Sequence, residues 1–418
     1  MHTLNDSAGL QALMNDIADR RIVMLGEASH GTHEYYTWRT AITQKLIQEK
    51  RFRFIAVEGD WPDCYLINRY VKGYNDAGKN ITDILKTFDR WPTWMWANWE
   101  IAALAEWLRE YNSSLSLTEK VGFYGLDVYS LWDSMQAMIN YLQKEDQQAA
   151  QFVKKAISCF EPFNQDEQQY ARYSLNRHHC RDEVLALLKE IRLRAQYLDG
   201  DREAGFNTEQ NALVAVNAER YYRSMMEFDN NSWNIRDRHM METLERLLLF
   251  HGSGAKCVVW EHNTHIGDAR ATDMAAAGMV NTGQLARETY GDDNVYLAGF
   301  GCYKGSVIAG DEWGAPMQEM EVPAAREDSI EAYLHDRTGN NSYMLFHEEP
   351  DVIYRTRTGH RAIGVVYDPG REWAGNYVPS ILSKRYDAFI YLDETTALHP
   401  LHMQPHDEKI PETYPFGM

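Results

Sequence analysis

The sequence predicts an α/β fold: a mixed, largely parallel central sheet flanked by helices, with a large all-helical insertion. Three observations lead there. Short continuous apolar runs at residues 21–27 (RIVMLGE), 52–60 (FRFIAVEGD), 121–127 (VGFYGLD), 257–262, 295–302, 343–346, 362–367 and 386–392 read as strands covered on both faces. Helical patterns separate them, and strand–helix alternation of this rhythm indicates a sheet with right-handed crossovers. Between about residues 131 and 250 no convincing strand occurs, and apolar residues recur at three and four.

Each element has its own pattern. From Thr32 to Gln48 the apolar positions Tyr35, Trp38, Ile42 and Leu46 recur at helical spacing. In the strandless stretch the repeat runs through Met135, Met138, Ile139 and Leu142, then Val184, Leu187, Leu188 and Ile191, then Leu213, Val216, Tyr221 and Met225. The expected organisation is therefore an α/β core of residues 1–130 and 251–418, with 131–250 inserted as a lid or cleft wall. The last third, from about Gly310, is assigned to sheet completion, with few titratable clusters. Glu394 and Arg357 there read as exposed-loop residues.

Composition narrows the function. The chain has 418 residues, 44% hydrophobic and 25% charged, with 42 Lys plus Arg against 61 Asp plus Glu and a net charge of −19. Such acidity excludes nucleic acid and anionic membrane as partners, since both need a basic face. No apolar run approaches a membrane span, and the opening MHTLND lacks the pattern of a signal peptide. A cytoplasmic location is expected. The five cysteines, Cys64, Cys159, Cys180, Cys257 and Cys302, form no CxxC and read as reduced thiols. No heptad stripe speaks to oligomeric state.

Titratable residues cluster at strand ends. Glu27 closes the first run and is followed by Ala28, Ser29, His30 and Gly31. Glu58 and Asp60 close the second, Asp127 the third, and Glu261, His262 and His265 follow the fourth. Ligands of open parallel sheets bind at the carboxyl ends of strands. An imidazole there can act as general base, and a nearby carboxylate can orient it. Arg39 lies on the core-facing stripe of the following helix and needs a buried partner, Glu27 or Glu58, unless it snorkels to the helix edge.

The same Glu27, Glu58, His30, His262 and His265 set suits Zn, Mn or Fe by residue type, without HExxH or another closed signature. The alternative is a metal-free acid/base site that needs no cofactor. GxSxG and the P-loop are absent from the sequence. Trp91, Trp94, Trp96 and Trp99 crowd into WPTWMWANW and can floor a bulky ligand or anchor a helix to the core.

With these residues in place, the sequence resembles the erythromycin esterase-like family. The likeness rests on GEASHG (Gly26 to Gly31), Glu58 in VEGDW, Arg236, Asp237 and Met240 in NIRDRHM, HNTH (His262 to His265), and Gly283-Gln284-Leu285. It implies an α/β core with helical additions and hydrolysis of a macrolide lactone by water. His30 would be the general base, Glu27 and Glu58 would orient it or the water, and Arg39 would be the arginine of the first helix. His262 and His265 would serve as acid, oxyanion donor or substrate orienter. Asp60, Asp127, Arg236, Trp94 and Trp96 are assigned to substrate binding. The partner expected is a small-molecule ester or lactone. The alternatives are a metal-dependent hydrolase, a tailoring esterase for a non-macrolide ester, and a non-enzymatic metal- or haem-binding relative. The first motif departs from the GEGAH form of the characterised resistance esterases, and His33 and Glu34 stand beside it.

Overall fold

The computed structural model describes residues 1–5, 7–163, 165–174, 179–194, 202–226 and 231–402. Two compact units divide the chain. The first comprises Met1–Val57, Ile67–Phe123 and His251–Met418, and the second Glu58–Leu66 and Tyr124–Phe250.

The first unit is built on a nine-stranded sheet. Its strands are β1 (His2–Thr3), β2 (Ile22–Leu25), β3 (Phe54–Asp60), β4 (Gly122–Asp127), β5 (Cys257–Trp260), β6 (Val295–Ala309), β7 (Gln318–Val322), β8 (Ser342–Leu345) and β11 (Ala388–Thr395). The order is β1-β8-β11-β6-β2-β5-β3-β4, with β7 on the far end of β6. The pairs β11–β6, β6–β2, β2–β5 and β5–β3 are parallel, whereas β8 and β1 add an antiparallel edge. Every residue of β2 and β5 is buried, which accounts for their unbroken apolar sequence. β3 and β4 run on into the second unit, so Glu58, Asp60 and Asp127 belong to that unit.

Helices α1 (Gln11–Ile17), α2 (His33–Lys50), α3 (Trp61–Val71), α4 (Ile81–Leu85) and α5 (Trp99–Ser113) connect the early strands. The buried stripe of α2 is Tyr35, Tyr36, Arg39, Ile42, Thr43, Leu46 and Ile47, so it runs through Arg39, with Trp38 only half-buried. Asn98 caps α5 by accepting from the Ile101 amide at 2.8 Å.

The second unit is helical beyond its short strand ends. α6 (Leu131–Glu145), α7 (Gln147–Phe160), α8 (Glu167–Ser174), α9 (Arg181–Arg194), α10 (Arg202–Ser224) and α11 (Asn231–His251) enclose one apolar core. Met135, Val153, Leu187, Ala212 and Tyr222 lie at its centre, each on the inward stripe of its helix. Asp146 caps α7, its carboxylate accepting from the amides of Gln148 and Ala149.

Three expectations are corrected. Cys159 and Cys180 form a disulfide, with Cα atoms 5.8 Å apart, so not all five cysteines are reduced. The two lie at the end of α7 and just before α9, and only the packing of these helices brings positions 21 residues apart into reach. Residues 362–367 do not form a strand. They make single bridges, Ser29 to Ile363 and Gly310 to Val366, because the backbone changes partner along its length. The ladder lies just before them, where β9 (Thr358–Arg361) pairs antiparallel with β10 (Tyr377–Ser380). Third, the last third of the chain does hold a titratable cluster. Glu331, His360, Arg361 and Glu372 are all buried, with His360 Nδ1 2.6 Å from Glu331 and Arg361 Nε 2.8 Å from Glu372.

Among the described residues, no helix is long and apolar enough to cross a membrane.

Candidate active site

The parallel pairing of β2 with β5 sets the site. Leu25 stands opposite Trp260, so the chain leaves both strands at the same level of the sheet. The loop after β2 carries Glu27 and His30, and the loop after β5 carries His262. The Asn263 amide donates to the Glu27 carbonyl at 2.9 Å and ties the loops together. Two glycines permit this. A Cβ on Gly26 would lie 2.1 Å from Asn263 Oδ1, and one on Gly31 would lie 1.9 Å from the Ile308 carbonyl oxygen.

Glu27 joins the two other groups of its cluster. Its Oε1 lies 2.8 Å from His30 Nδ1, and its Oε2 accepts from Arg39 Nη2 at 2.5 Å. All three side chains are buried. An ionised carboxylate only accepts, so a neutral His30 paired with one bears its proton on Nδ1 and its lone pair on Nε2. Arg39 Nε donates to the Tyr35 carbonyl, and the guanidinium lies over the rings of Tyr36 and Trp260, at 4.6 and 4.7 Å. The arginine is therefore no surface snorkeller, and its partner is Glu27. The Tyr36 hydroxyl lies 3.2 Å from the His30 carbonyl and 2.9 Å from that of Met95, which fixes the turn bearing the imidazole.

His262 has the opposite polarity. It caps a short helix, α12 (Asn263–Ile266), and its Nδ1 accepts from the Thr264 amide at 3.3 Å, with the Thr264 hydroxyl at 2.8 Å. A backbone amide only donates, so Nδ1 holds a lone pair and the proton of a neutral His262 is on Nε2. The rings of His30 and His262 are 5.0 Å apart, centre to centre. One ring offers an acceptor nitrogen and the other a donor.

Asn263 anchors this turn to the sheet. Its side chain donates to the Phe300 carbonyl at 2.6 Å and accepts from the Phe300 amide at 3.1 Å. It also donates to His360 Nε2 at 3.3 Å, behind which stands Glu331. Burial pushes the His360 imidazole below its ordinary value. Burial alone would raise Glu331, but the opposing charges of His360 and Arg361 leave it lowered. Sequence reasoning missed these supports, since nothing in TGHRAIG marks His360 as buried.

In the second unit, Arg236 on α11 donates through Nε and Nη2 to both oxygens of Asp127, at 2.9 and 2.7 Å, and through Nη2 to Glu58 at 2.6 Å. Within the first unit Glu27 meets His30, and within the second Glu58 meets Arg236. Asp60 is half-buried at the end of β3. His265 is fully buried in α12, its amide donating to the His262 carbonyl. Trp94 is fully buried against Trp91, with ring centres 5.4 Å apart. Trp96 packs on Tyr36 and Phe123. These two indoles pack in the core, and of the four tryptophans only Trp99 is largely exposed, at 57%. His33 and Glu34 are engaged elsewhere, His33 with Glu100 and Glu34 with Thr396.

The erythromycin esterase family model matches residues 47–395. The chain belongs to the erythromycin esterase family. The match begins after the GEASHG segment, so membership is established independently of that motif. An erythromycin esterase type II from Escherichia coli is 23% identical over 372 residues, covering 81% of this chain and 83% of the relative. Among solved structures, a protein described as a succinoglycan biosynthesis protein is similar at TM-score 0.77 and 19% identity, over 95% of both chains. A Bacillus cereus protein is similar at TM-score 0.78 and 18% identity, over 95% of this chain and 94% of that one. An erythromycin esterase, a mutant of EreC in its open conformation, is similar at TM-score 0.66 and 16% identity, over 94% of this chain and 95% of that one. At these identities the structural likeness is one of fold, and the family's esterase fold is what this chain shares.

Proposed function

We propose that this chain hydrolyses a carboxylic ester, with a macrolide lactone as the reference substrate, by direct attack of water with His30 as general base. The observation that carries the reading is the Glu27 carboxylate shared between His30 Nδ1 and Arg39. It leaves Nε2 as the basic nitrogen and places a negative charge behind the imidazolium that forms. Arg39, buried and permanently charged, pairs with the other oxygen of Glu27.

Water gives a proton to His30 Nε2 as its oxygen bonds to the ester carbonyl carbon. The carbonyl oxygen becomes an oxyanion and accepts from His262 Nε2–H. Collapse of the tetrahedral intermediate breaks the bond to the ring oxygen. That alkoxide leaves with the proton held on His30. The product is the substrate plus one water, and the enzyme returns to its starting state. His265 is a positioning residue for the His262 turn.

Mass spectrometry of protein incubated with a macrolide panel, erythromycin included, tests the reading. A gain of one water with wild type, and none with His30→Ala, is expected. Equal turnover by both proteins would overturn the mechanism. A second reading keeps the chemistry and changes the ester. One fold neighbour is described as a succinoglycan biosynthesis protein, which is reason to assay acylated saccharides beside the macrolides.

A further inference from the structure

Three residues outside the hydrolytic cluster converge on one point. They are His33 in the first turn of α2, Glu100 in the first turn of α5, and His399 in the segment after β11. Their ligand atoms all lie within 4.8 Å of one another. Both imidazoles aim Nδ1 at the same carboxylate oxygen, Glu100 Oε1, at 2.5 Å from His33 and 2.6 Å from His399. The rings meet edge to face, 5.1 Å apart.

Hydrogen bonding leaves part of this arrangement unexplained. The Glu100 side chain is only 4% exposed. Its second oxygen, Oε2, is buried and accepts no hydrogen bond from another residue among the described residues. A buried carboxylate with one oxygen approached twice and the other idle is an expensive use of two imidazoles. A cation taking the place of the two shared protons would engage all three groups and give the idle oxygen a partner.

The donors are also held in place without help from the ligand. The segment bearing His399 is stitched on one side by Trp99 N to His399 O at 3.0 Å and Leu401 N to Ala97 O at 2.9 Å. On the other side it is held by His33 N to Thr396 O and Leu398 N to Gly31 O, both 2.9 Å. Towards solvent the site is open, with the side chains of His33 and His399 33% and 61% exposed. A bound ion would keep room there for water.

We propose that His33, Glu100 and His399 form a two-histidine, one-carboxylate site for a divalent first-row metal ion, with Zn2+ as the reference ion. Two imidazoles and a carboxylate suit zinc and its neighbours better than calcium or magnesium, which prefer all-oxygen shells. A tetrahedral ion with bonds of roughly 2.0 Å spaces its ligands by roughly 3.3 Å. The two rings would therefore withdraw from Glu100 by roughly 0.7 Å, a small side-chain adjustment for groups on the solvent face. A ring that binds the ion through Nδ1 carries its remaining proton on Nε2, facing water. The ion would clasp the segment after β11 to the starts of α2 and α5, beside the Gly31 turn that follows His30. The proposal stands on these residues alone and does not depend on the hydrolytic reading.

Calorimetric titration of the chelator-stripped, full-length protein with ZnCl2 tests it. Wild type is expected to take up one ion per chain with a rise in Tm. His399→Ala, at an exposed position, is expected to fold normally. Losing an outer-shell partner already costs roughly 10–100-fold in metal affinity, so loss of this direct ligand is expected to cost at least as much. Glu100→Gln should weaken binding likewise, while His30→Ala should leave it unchanged. Loading with Co2+ supplies a second readout, a visible d–d absorption that His399→Ala abolishes. No zinc uptake by wild type, or uptake that survives His399→Ala undiminished, would overturn the proposal.

Discussion

Two buried clusters in this molecule use the same charged groups for different ends. In the first unit, Arg39 and His30 share the carboxylate of Glu27. In the second, Arg236 is divided between Asp127 and Glu58. Both clusters lie at strand ends, and both neutralise an arginine that could not otherwise stay buried. The difference is the imidazole. A guanidinium holds its proton at every physiological pH, so Arg236 can brace its partners but cannot itself exchange a proton. Replacing one arm of such a cluster by histidine adds a group that titrates near neutrality, and the same ion-pair architecture becomes a device for moving a proton.

Substitutions can break this contrast. The largest effect is expected at His30. His30→Ala should lower ester turnover by about 10²–10⁴-fold and leave Tm nearly unchanged, as read from steady-state hydrolysis and thermal melts. Breaking either ion pair from one side should instead cost stability. Arg236→Met leaves Asp127 and Glu58 buried with their cation gone, and a loss of about 3–5 kcal/mol in urea unfolding is expected. Turnover per folded molecule in that variant separates bracing from the substrate binding assigned to Arg236. If it fell with the fold intact, the second cluster would belong to the reaction and the contrast would fail. Glu27→Gln should do both kinds of damage, because it strands Arg39 and removes the charge behind His30.

The second unit also carries a buried histidine, His239. Burial lowers His239 to about 4, and its Nδ1 accepts from the Asn217 amide group at 2.9 Å. The unfolded chain takes up this proton near pH 6.5, while the folded chain resists until about 4. Stability therefore falls as pH drops through that interval, by about 3 kcal/mol in total at 1.36 kcal/mol per unit, and has no such slope above it. His239→Gln should flatten that part of the stability curve, which Tm measured across the interval would show. The smallest effect is expected at Trp99. Exposed as it is, Trp99→Ala should change stability by less than about 0.5 kcal/mol, whereas Trp94→Ala should cost about 3–5 kcal/mol.

Much of this could be read from the chain alone. The runs that became β2, β3, β4 and β5 each carry a continuous apolar stretch because both faces are covered, and that pattern survives translation into sequence. The helix expected over residues 32–48 is α2, His33–Lys50. Glu27, His30, Arg39 and His262 stood out because carboxylate, imidazole and arginine occurred at strand ends and on a core-facing stripe, where charge needs a reason. Residues 318–322 were not legible as a strand, since β7 is an edge pairing whose half-exposed sequence carries no continuous apolar run.

What the sequence determined by itself is the set of local preferences: which segments extend, which coil, and which residues can hold or move a proton. The tertiary structure decided the pairings. Adjacency of β2 and β5 put His30 beside His262, although 232 positions separate them, and helix packing joined Cys159 to Cys180. The return of the chain after β11 brought His399 to Glu100 and His33. Glu58 and Glu27 look alike in the sequence, each an acid at the end of an apolar run. Glu27 meets its imidazole three residues on, whereas the meeting of Glu58 with Arg236, 178 positions away, depends on long-range contacts that no local pattern encodes. The physical reason is that backbone propensity and side-chain chemistry are properties of neighbours in the chain, whereas burial, charge partner and tautomer are properties of neighbours in space.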